Sequence, residues 1–258
     1  LNNIHSNAII ADTVEIASFC TIDEDVVIGD NTKIGPNVVI LNGTRIGKNC
    51  NIHTGAVLGG IPQDLKFDNE YSQLVIGDFV TVREYCTLNR GTKQKGITSV
   101  DNHALIMAYT HVAHDCQIGQ HAILANSVHL AGHIEIGDWA VISALSAVHQ
   151  FVKIGRHAMI SGGSLVRKDV PPYVKAAREP LCYAGVNKTG LERRGYSNAE
   201  INEIHEIYSA IYVRSQNVSK AIANLEKKLS DSLFLKEIAE FIGTSERGVM
   251  KGYRGHSE

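Results

Sequence analysis

Two short segments of this 258-residue chain hold groups that could move a proton and steady an oxyanion: His111-Val-Ala-His114-Asp115 and Leu130-Ala-Gly132-His133. They lie 18 residues apart, so His111 aligns with His129, His114 with Gly132, and Asp115 with His133. An imidazole titrating near neutrality suits general-base work. A glycine beside it leaves a backbone N–H open, as an oxyanion needs. His133 could donate to a bound phosphate or carbonyl. Eight of the twelve histidines fall between His103 and His157. Of these, His111, His114 and His133 gather around a glycine and read as functional. His103, His121 and His157 share a different alignment with Trp139 and read as exposed polar corner residues.

The 18-residue offset follows from the elements that must position these groups. From Ile4 to Val166 every sixth position forms one frame, and 25 of its 28 positions are Ile, Leu or Val. A strict hexad lays down one short strand per six residues, and three strands make one coil of a triangular parallel β-helix. Coils then stack at about 4.8 Å. The residue two before each aliphatic shares its inward face. Cys20, Cys50, Cys86 and Cys116 take that small position and read as reduced core thiols. The position after the aliphatic is often Gly (Gly29, Gly47, Gly77, Gly119, Gly137), followed mostly by Asp or Lys. This suggests a corner with unusual dihedrals just there.

Asp64, Glu70 and Gln94 break the frame and mark two excursions, near 61–73 and 92–99. Loops leaving a rigid scaffold are where binding groups are usually mounted. The repeats stop at Pro171-Pro172. Beyond them, Ser197-Asn-Ala-Glu200 reads as a capping box opening a helix, with further helices near 219–229 and 232–242, the last stopped by Gly243. The expected division is a β-helix over 1–180 and a helical domain over 181–258.

Bulk properties narrow the function classes. A net charge of −2 gives no polybasic argument for nucleic acid. No apolar run approaches the ~18 residues of a membrane span. The start, Leu-Asn-Asn-Ile-His, lacks signal-peptide regions, which favours a cytoplasmic protein. A zinc-binding β-helix is the rival from another class. It would use His111-x-x-His114 and a distant histidine, as the gamma-class carbonic anhydrases use a His-x-x-x-x-His pair, but no histidine lies five residues from His114.

A set of motifs occurs in order: Gln63-Asp64-Leu-Lys66, Arg83-Glu84, Asn89-Arg90-Gly91-Thr92, His111-Val-Ala-His114-Asp115-Cys116, Gly132-His133, His149-Gln150-Phe151, Asp169-Val-Pro-Pro-Tyr173, Gly185-Val-Asn187 and Arg193-Arg194-Gly195. Together they resemble the acyl-[acyl-carrier-protein]–UDP-N-acetylglucosamine O-acyltransferases of lipid A biosynthesis over nearly the whole chain. The resemblance implies a mainly β protein, a left-handed parallel β-helix with a C-terminal helical domain, assembled as a homotrimer with sites between subunits. It implies His114 as catalytic base, Asp115 as its carboxylate, and the Gly132 N–H as oxyanion donor. Asp64, Lys66, His111, His133, His149 and Gln150 would line the acyl and sugar-nucleotide site, and Asn187, Arg193 and Arg194 would hold the uridine and phosphates. No metal or resident cofactor is implied, since the acyl donor is a phosphopantetheine thioester on acyl carrier protein. A related acyltransferase with another acyl donor or an amino-sugar acceptor is the enzymatic alternative.

Overall fold

Side chains alternate along a strand, so each hexad aliphatic and the residue two before it turn inward together. The computed structural model, which describes residues 1–215 and 217–252, stacks these strands into three faces of a prism. Among the described residues the first face holds nine strands, from Asn3–Ile4 to Leu165–Val166, and the second eight, from Ile9–Ile10 to Lys153–Ile154. The third face begins at Glu15–Ile16 and has eleven. Strands one coil apart pair in parallel register: His111 with His129 on the first face, Ile118 with Ile136 on the second, Leu124 with Ile142 on the third. The fold is a left-handed parallel β-helix.

The core is the frame itself. Ile22, Ile40, Leu58, Ile76, Leu88, Ile106 and Ile118 are fully buried, whereas Ile4, on the open first coil, is exposed. The small inward positions have a second use that their size alone does not reveal. Cys20 donates to the Gly35 carbonyl, Thr32 to Gly47, Thr110 to Ala125, Cys116 to Ala131 and Ser146 to Ser161. Each reaches a carbonyl 15 residues ahead. A hydroxyl or thiol thus satisfies a buried carbonyl that the ladder leaves over, which an Ala cannot do.

Two expectations about the corners are corrected. Left-handed backbone does not fall at the glycines that directly follow the aliphatics (Gly29, Gly47, Gly77, Gly119, Gly137) or at the residues after them. It falls three residues after most of the aliphatics, as at Asn31 (φ 58°), His103 (62°), Asp115 (61°) and His133 (62°). The glycines serve close approach between coils: a Cβ on Gly29 would stand 2.9 Å from the Gly47 carbonyl carbon, and one on Gly119 2.7 Å from the Asp138 nitrogen. The second correction concerns His103, His121 and His157. They are not merely exposed corner residues but rungs of a stacked aromatic edge, Phe79–His103–His121–Trp139–His157–Tyr173, with centroid spacings of 4.9, 4.6, 3.8, 6.4 and 5.8 Å. His157 is only 5% exposed. Left-handed φ costs a bulky residue of order 1 kcal/mol, and stacking offsets part of it.

The C-terminal region is stitched to the last coil. Val174–Ala177 and Cys182–Val186 form an antiparallel pair on the third face, so the expected division at 180 falls in their turn, and Lys251–Gly252 returns to the same sheet. Among the described residues four α-helices follow: α1 (Lys188–Arg193), α2 (Asn198–Tyr208), α3 (Val218–Glu226) and α4 (Leu233–Gly243). The Ser197/Glu200 capping box opens α2 as expected. Gly243 is the last residue of α4 and does not stop it; Thr244 caps it, donating its N–H to Glu240 O and Ile242 O. Arg156 grips Glu237 of α4 through two bonds of 2.6 and 2.7 Å, and the Tyr173 hydroxyl donates to the same carboxylate. The last six positions of the expected helical domain lie outside the described residues.

Candidate active site

Both excursions leave the prism at the same edge. The chain passes from the first face at Val57–Gly60 to the second at Gln73–Ile76 through one loop, and from Thr87–Asn89 to Ile97–Val100 through the other. His114 and Asp115, then Gly132 and His133, then His149 and Gln150 occupy this edge one, two and three coils beyond the second loop. Loops and histidines therefore form one region, although they are separated in sequence.

At its centre the Asp115 carboxylate is fully buried. Its Oδ1 accepts the Thr92 N–H at 3.0 Å, and its Oδ2 accepts the Thr92 hydroxyl at 2.7 Å. Oδ2 also meets His114 Nδ1 at 2.8 Å. Burial pushes the Asp115 pKa up, but the bonds from His114 and Thr92 outweigh it and hold the carboxyl below the usual range. An ionised carboxylate only accepts. His114 Nδ1 must therefore carry the proton, which leaves the Nε2 lone pair free to take one.

Gly132 lies directly against that ring. A Cβ there would come within 2.6 Å of His114 Cε1 and 2.8 Å of Nε2, so no other residue fits beside the imidazole as it stands. The Gly132 N–H has no acceptor among the described residues. A proton acceptor thus lies against a residue whose amide donor is open.

His133 stacks on Phe151 at 4.6 Å and sits edge-on to His114 at 5.1 Å. Its Nε2 is 3.6 Å from Asp115 Oδ2, and its buried Nδ1 has no partner. Burial lowers its pKa, against the opposing pull of Asp115, so the ring stays neutral below its ordinary range. His111 is also lowered by burial, and its Nδ1 pairs with Thr87 Oγ1 at 2.7 Å. From the first loop, half-buried Asp64 acts electrostatically on His133 and accepts the Lys66 N–H at 3.0 Å, while the Lys66 side chain is exposed. His149 and Gln150 are exposed.

Asn187, Arg193 and Arg194 are not brought to this edge. Asn187 is buried, donates to the His157 carbonyl at 2.9 Å and caps α1. The Arg194 guanidinium lies 5.1 Å over Trp139, on the aromatic edge between the second and third faces, and Arg193 is exposed. Within one chain the candidate base and the candidate phosphate clamp occupy different edges. Thr92 and Thr98 were not singled out from sequence as site groups.

His114, Asp115 and His133 each offer a donor within 4.8 Å of the others, near enough to share a cation. The carboxylate is already committed, with Oδ2 accepting two hydrogen bonds and Oδ1 a third. That donor set suits an oriented imidazole better than a vacant ligand.

Comparison with known proteins places the chain in a family. Residues 169–250 match the profile described as UDP N-acetylglucosamine O-acyltransferase, domain 2, and residues 25–60 and 98–132 match the bacterial transferase hexapeptide profile. The acyl-[acyl-carrier-protein]–UDP-N-acetylglucosamine O-acyltransferase of a Sulfurihydrogenibium species is 51% identical over 77% of this chain and 73% of its own. The UDP-N-acetylglucosamine acyltransferase structure from Bacteroides fragilis superposes with a TM-score of 0.95 at 48% identity, covering 97% of this chain and 98% of that one. The Francisella novicida structure gives 0.94 at 39% identity, covering 97% and 92%. With this likeness running from the hexads through the C-terminal helices, the chain belongs to the acyl-[acyl-carrier-protein]–UDP-N-acetylglucosamine O-acyltransferase family.

Proposed function

We propose that this protein transfers a (3R)-hydroxyacyl chain from acyl carrier protein to the 3-hydroxyl of UDP-N-acetylglucosamine, the first step of lipid A biosynthesis, in the cytoplasm. His114 Nε2 takes the hydroxyl proton as the sugar oxygen attacks the thioester carbonyl. The Gly132 N–H donates to the oxyanion of the tetrahedral intermediate, which collapses with loss of the carrier thiol, reprotonated from the His114 imidazolium. Asp115 keeps the proton on Nδ1 and stabilises the imidazolium that forms. The thioester is already activated, so no resident cofactor takes part. The observation that carries this reading is the 2.8 Å His114–Asp115 bond in a ring packed against Gly132, whose amide is open.

A covalent route through Cys116 is disfavoured by its chemistry. The thiol is fully buried and burial pushes its pKa up to about 12, leaving almost no thiolate. We further propose a homotrimer in which the His114 edge of one subunit faces the Arg194 edge of the next. Support comes from the separation of the two groups within one chain and from the first loop, where Ile61, Leu65 and Tyr71 are exposed. Exposed apolar side chains grouped on one loop suit an interface.

The test is incubation with UDP-N-acetylglucosamine and a panel of hydroxyacyl carrier proteins, read by mass spectrometry. An O-acylated sugar nucleotide is expected with wild type, and almost none with His114→Ala, which should remain folded and bind the nucleotide. Full turnover by His114→Ala would end the assignment of the base. An acylated amine, formed only with an amino-sugar acceptor, would move the chain to the N-acyl branch.

A further inference from the structure

Two histidines stand beside one oxygen at this site. Asp115 Oδ2 is 2.8 Å from His114 Nδ1 and 3.6 Å from His133 Nε2. Which ring the carboxylate serves depends on how it is turned, and the groups that turn it lie in the second loop. Thr92 is 5% exposed and grips the carboxylate at both oxygens, N–H to Oδ1 at 3.0 Å and hydroxyl to Oδ2 at 2.7 Å. At the loop's far end Thr98 Oγ1 accepts the Asp115 N–H at 2.8 Å, fixing the backbone. The loop is itself held: Glu70 of the first loop accepts the Lys93 N–H at 2.9 Å, and Lys95 pairs with Glu135 at 3.3 Å.

We infer that Thr92 is a positioning residue for acyl transfer: its amide and hydroxyl fix the Asp115 carboxylate so that Oδ2 serves His114 and not His133, which keeps the His114 Nε2 lone pair aimed at the substrate hydroxyl. This rests on His114 being the base, as proposed above. Free rotation of the carboxylate would let Oδ2 close on His133 Nε2 and leave the His114 ring without its anchor. The titratable groups facing the carboxylate are His114 and His133; Lys95 of the same loop and Asp64 of the other act in turn on His133.

The test compares Thr92→Val, which keeps shape and loses the hydroxyl, with Thr92→Ser, which keeps the hydroxyl. Thr92→Ala replaces Thr92→Val if the latter is unfolded at the assay temperature. Hydrogen bonds to charged groups are the strong ones, so kcat should fall about tenfold to a hundredfold in Thr92→Val. KM for UDP-N-acetylglucosamine should stay within about twofold, and Thr92→Ser within about threefold of wild type. A merely structural role would not move the pH profile. Here, loss of the hydroxyl frees Oδ2 to turn towards His133, so the His114 imidazolium loses its carboxylate partner and the acid limb of kcat/KM should move to lower pH in Thr92→Val but not in Thr92→Ser. Wild-type kcat with an unmoved limb in Thr92→Val, or equal damage in Thr92→Ser, would overturn the inference. Full turnover by His114→Ala would instead remove the base assignment beneath it.

Discussion

Gly132→Ala adds a single methyl group at the point where the candidate base and the open amide meet. The φ of Gly132 is not in the left-handed region, so alanine meets no backbone penalty there. The obstruction is the His114 ring, whose Cε1 and Nε2 would lie 2.6 and 2.8 Å from the new carbon. Ordinary contacts between such atoms are about 3.5–4.0 Å, so the ring must retreat by roughly 1 Å. Stretched by that much, the 2.8 Å bond to Asp115 ceases to be a hydrogen bond. A misplacement of about 1 Å at a reacting group costs on the order of 10²-fold. Stability should fall by only about 1–2 kcal/mol, since a lost charge-assisted bond is partly offset by the lower unfolded-state entropy of alanine. The assay is kcat at saturating acyl carrier protein and UDP-N-acetylglucosamine, with thermal melting alongside. The decisive comparison is the double variant: once His114→Ala has removed the ring, Gly132→Ala should cost almost nothing more. An equal loss in both backgrounds would show that the methyl acts elsewhere.

Three further outcomes follow from the fold and its buried groups. Ile136 is 3% exposed in the continuous core, and Ile136→Asp should abolish folding by circular dichroism, because an unpaired buried charge costs several kcal/mol. Burial, with Arg194 and Arg156 nearby, lowers the His157 pKa from 6.5 to about 4. The unfolded chain therefore binds this proton more readily, and stability is lost as pH falls from about 6.5 towards 4, by ~3 kcal/mol when complete. His157→Phe keeps the stack and should flatten that part of the urea-unfolding profile; an unchanged slope would show that His157 does not cause it. Light scattering should give a trimer of the 28.1 kDa chain, and a fully active monomer would refute the pairing of edges between subunits.

The β-helix was legible because its period is imposed by packing: one inward aliphatic per strand leaves little freedom, and the frame returns in phase after both excursions. The same counting placed His114 against Gly132 and Asp115 beside His133, since both pairs lie one coil apart. It could not find Thr92. Thr92 reaches Asp115 across 23 residues, because an insertion lies between them and the 18-residue rule does not hold there. Nor could it foresee that His157 would be buried, since the residues that cover it, Tyr196 and Arg194, belong to a helical region with no period relating it to the coils. Local signals did survive in that region, as the Ser197 capping box shows, but only for the element that carries them.

Corners matter because they are where backbone amides leave the ladder, and the two histidine-bearing edges treat those amides differently. On the aromatic edge, side-chain oxygens from the next coil close them: Asp78 accepts the Lys48 N–H at 2.7 Å, Asn102 the Asp78 N–H at 2.7 Å, and Asp138 the Gln120 N–H at 2.8 Å. On the His114 edge the corresponding residue above Gly132 is Gln150, which does not bond its N–H. A side chain one methylene shorter should close it, so Gln150→Asn should cap the Gly132 amide as Asn102 caps Asp78. Removing an oxyanion donor costs about 10²–10³-fold in kcat. Gln150→Ala, which removes the side chain without supplying an acceptor, is the control for any contact that Gln150 makes with substrate. Gln150→Asn should therefore be at least tenfold slower than Gln150→Ala, with no loss in melting temperature. If the two turned over alike, the open amide of Gly132 would be a consequence of the corner and not the oxyanion donor.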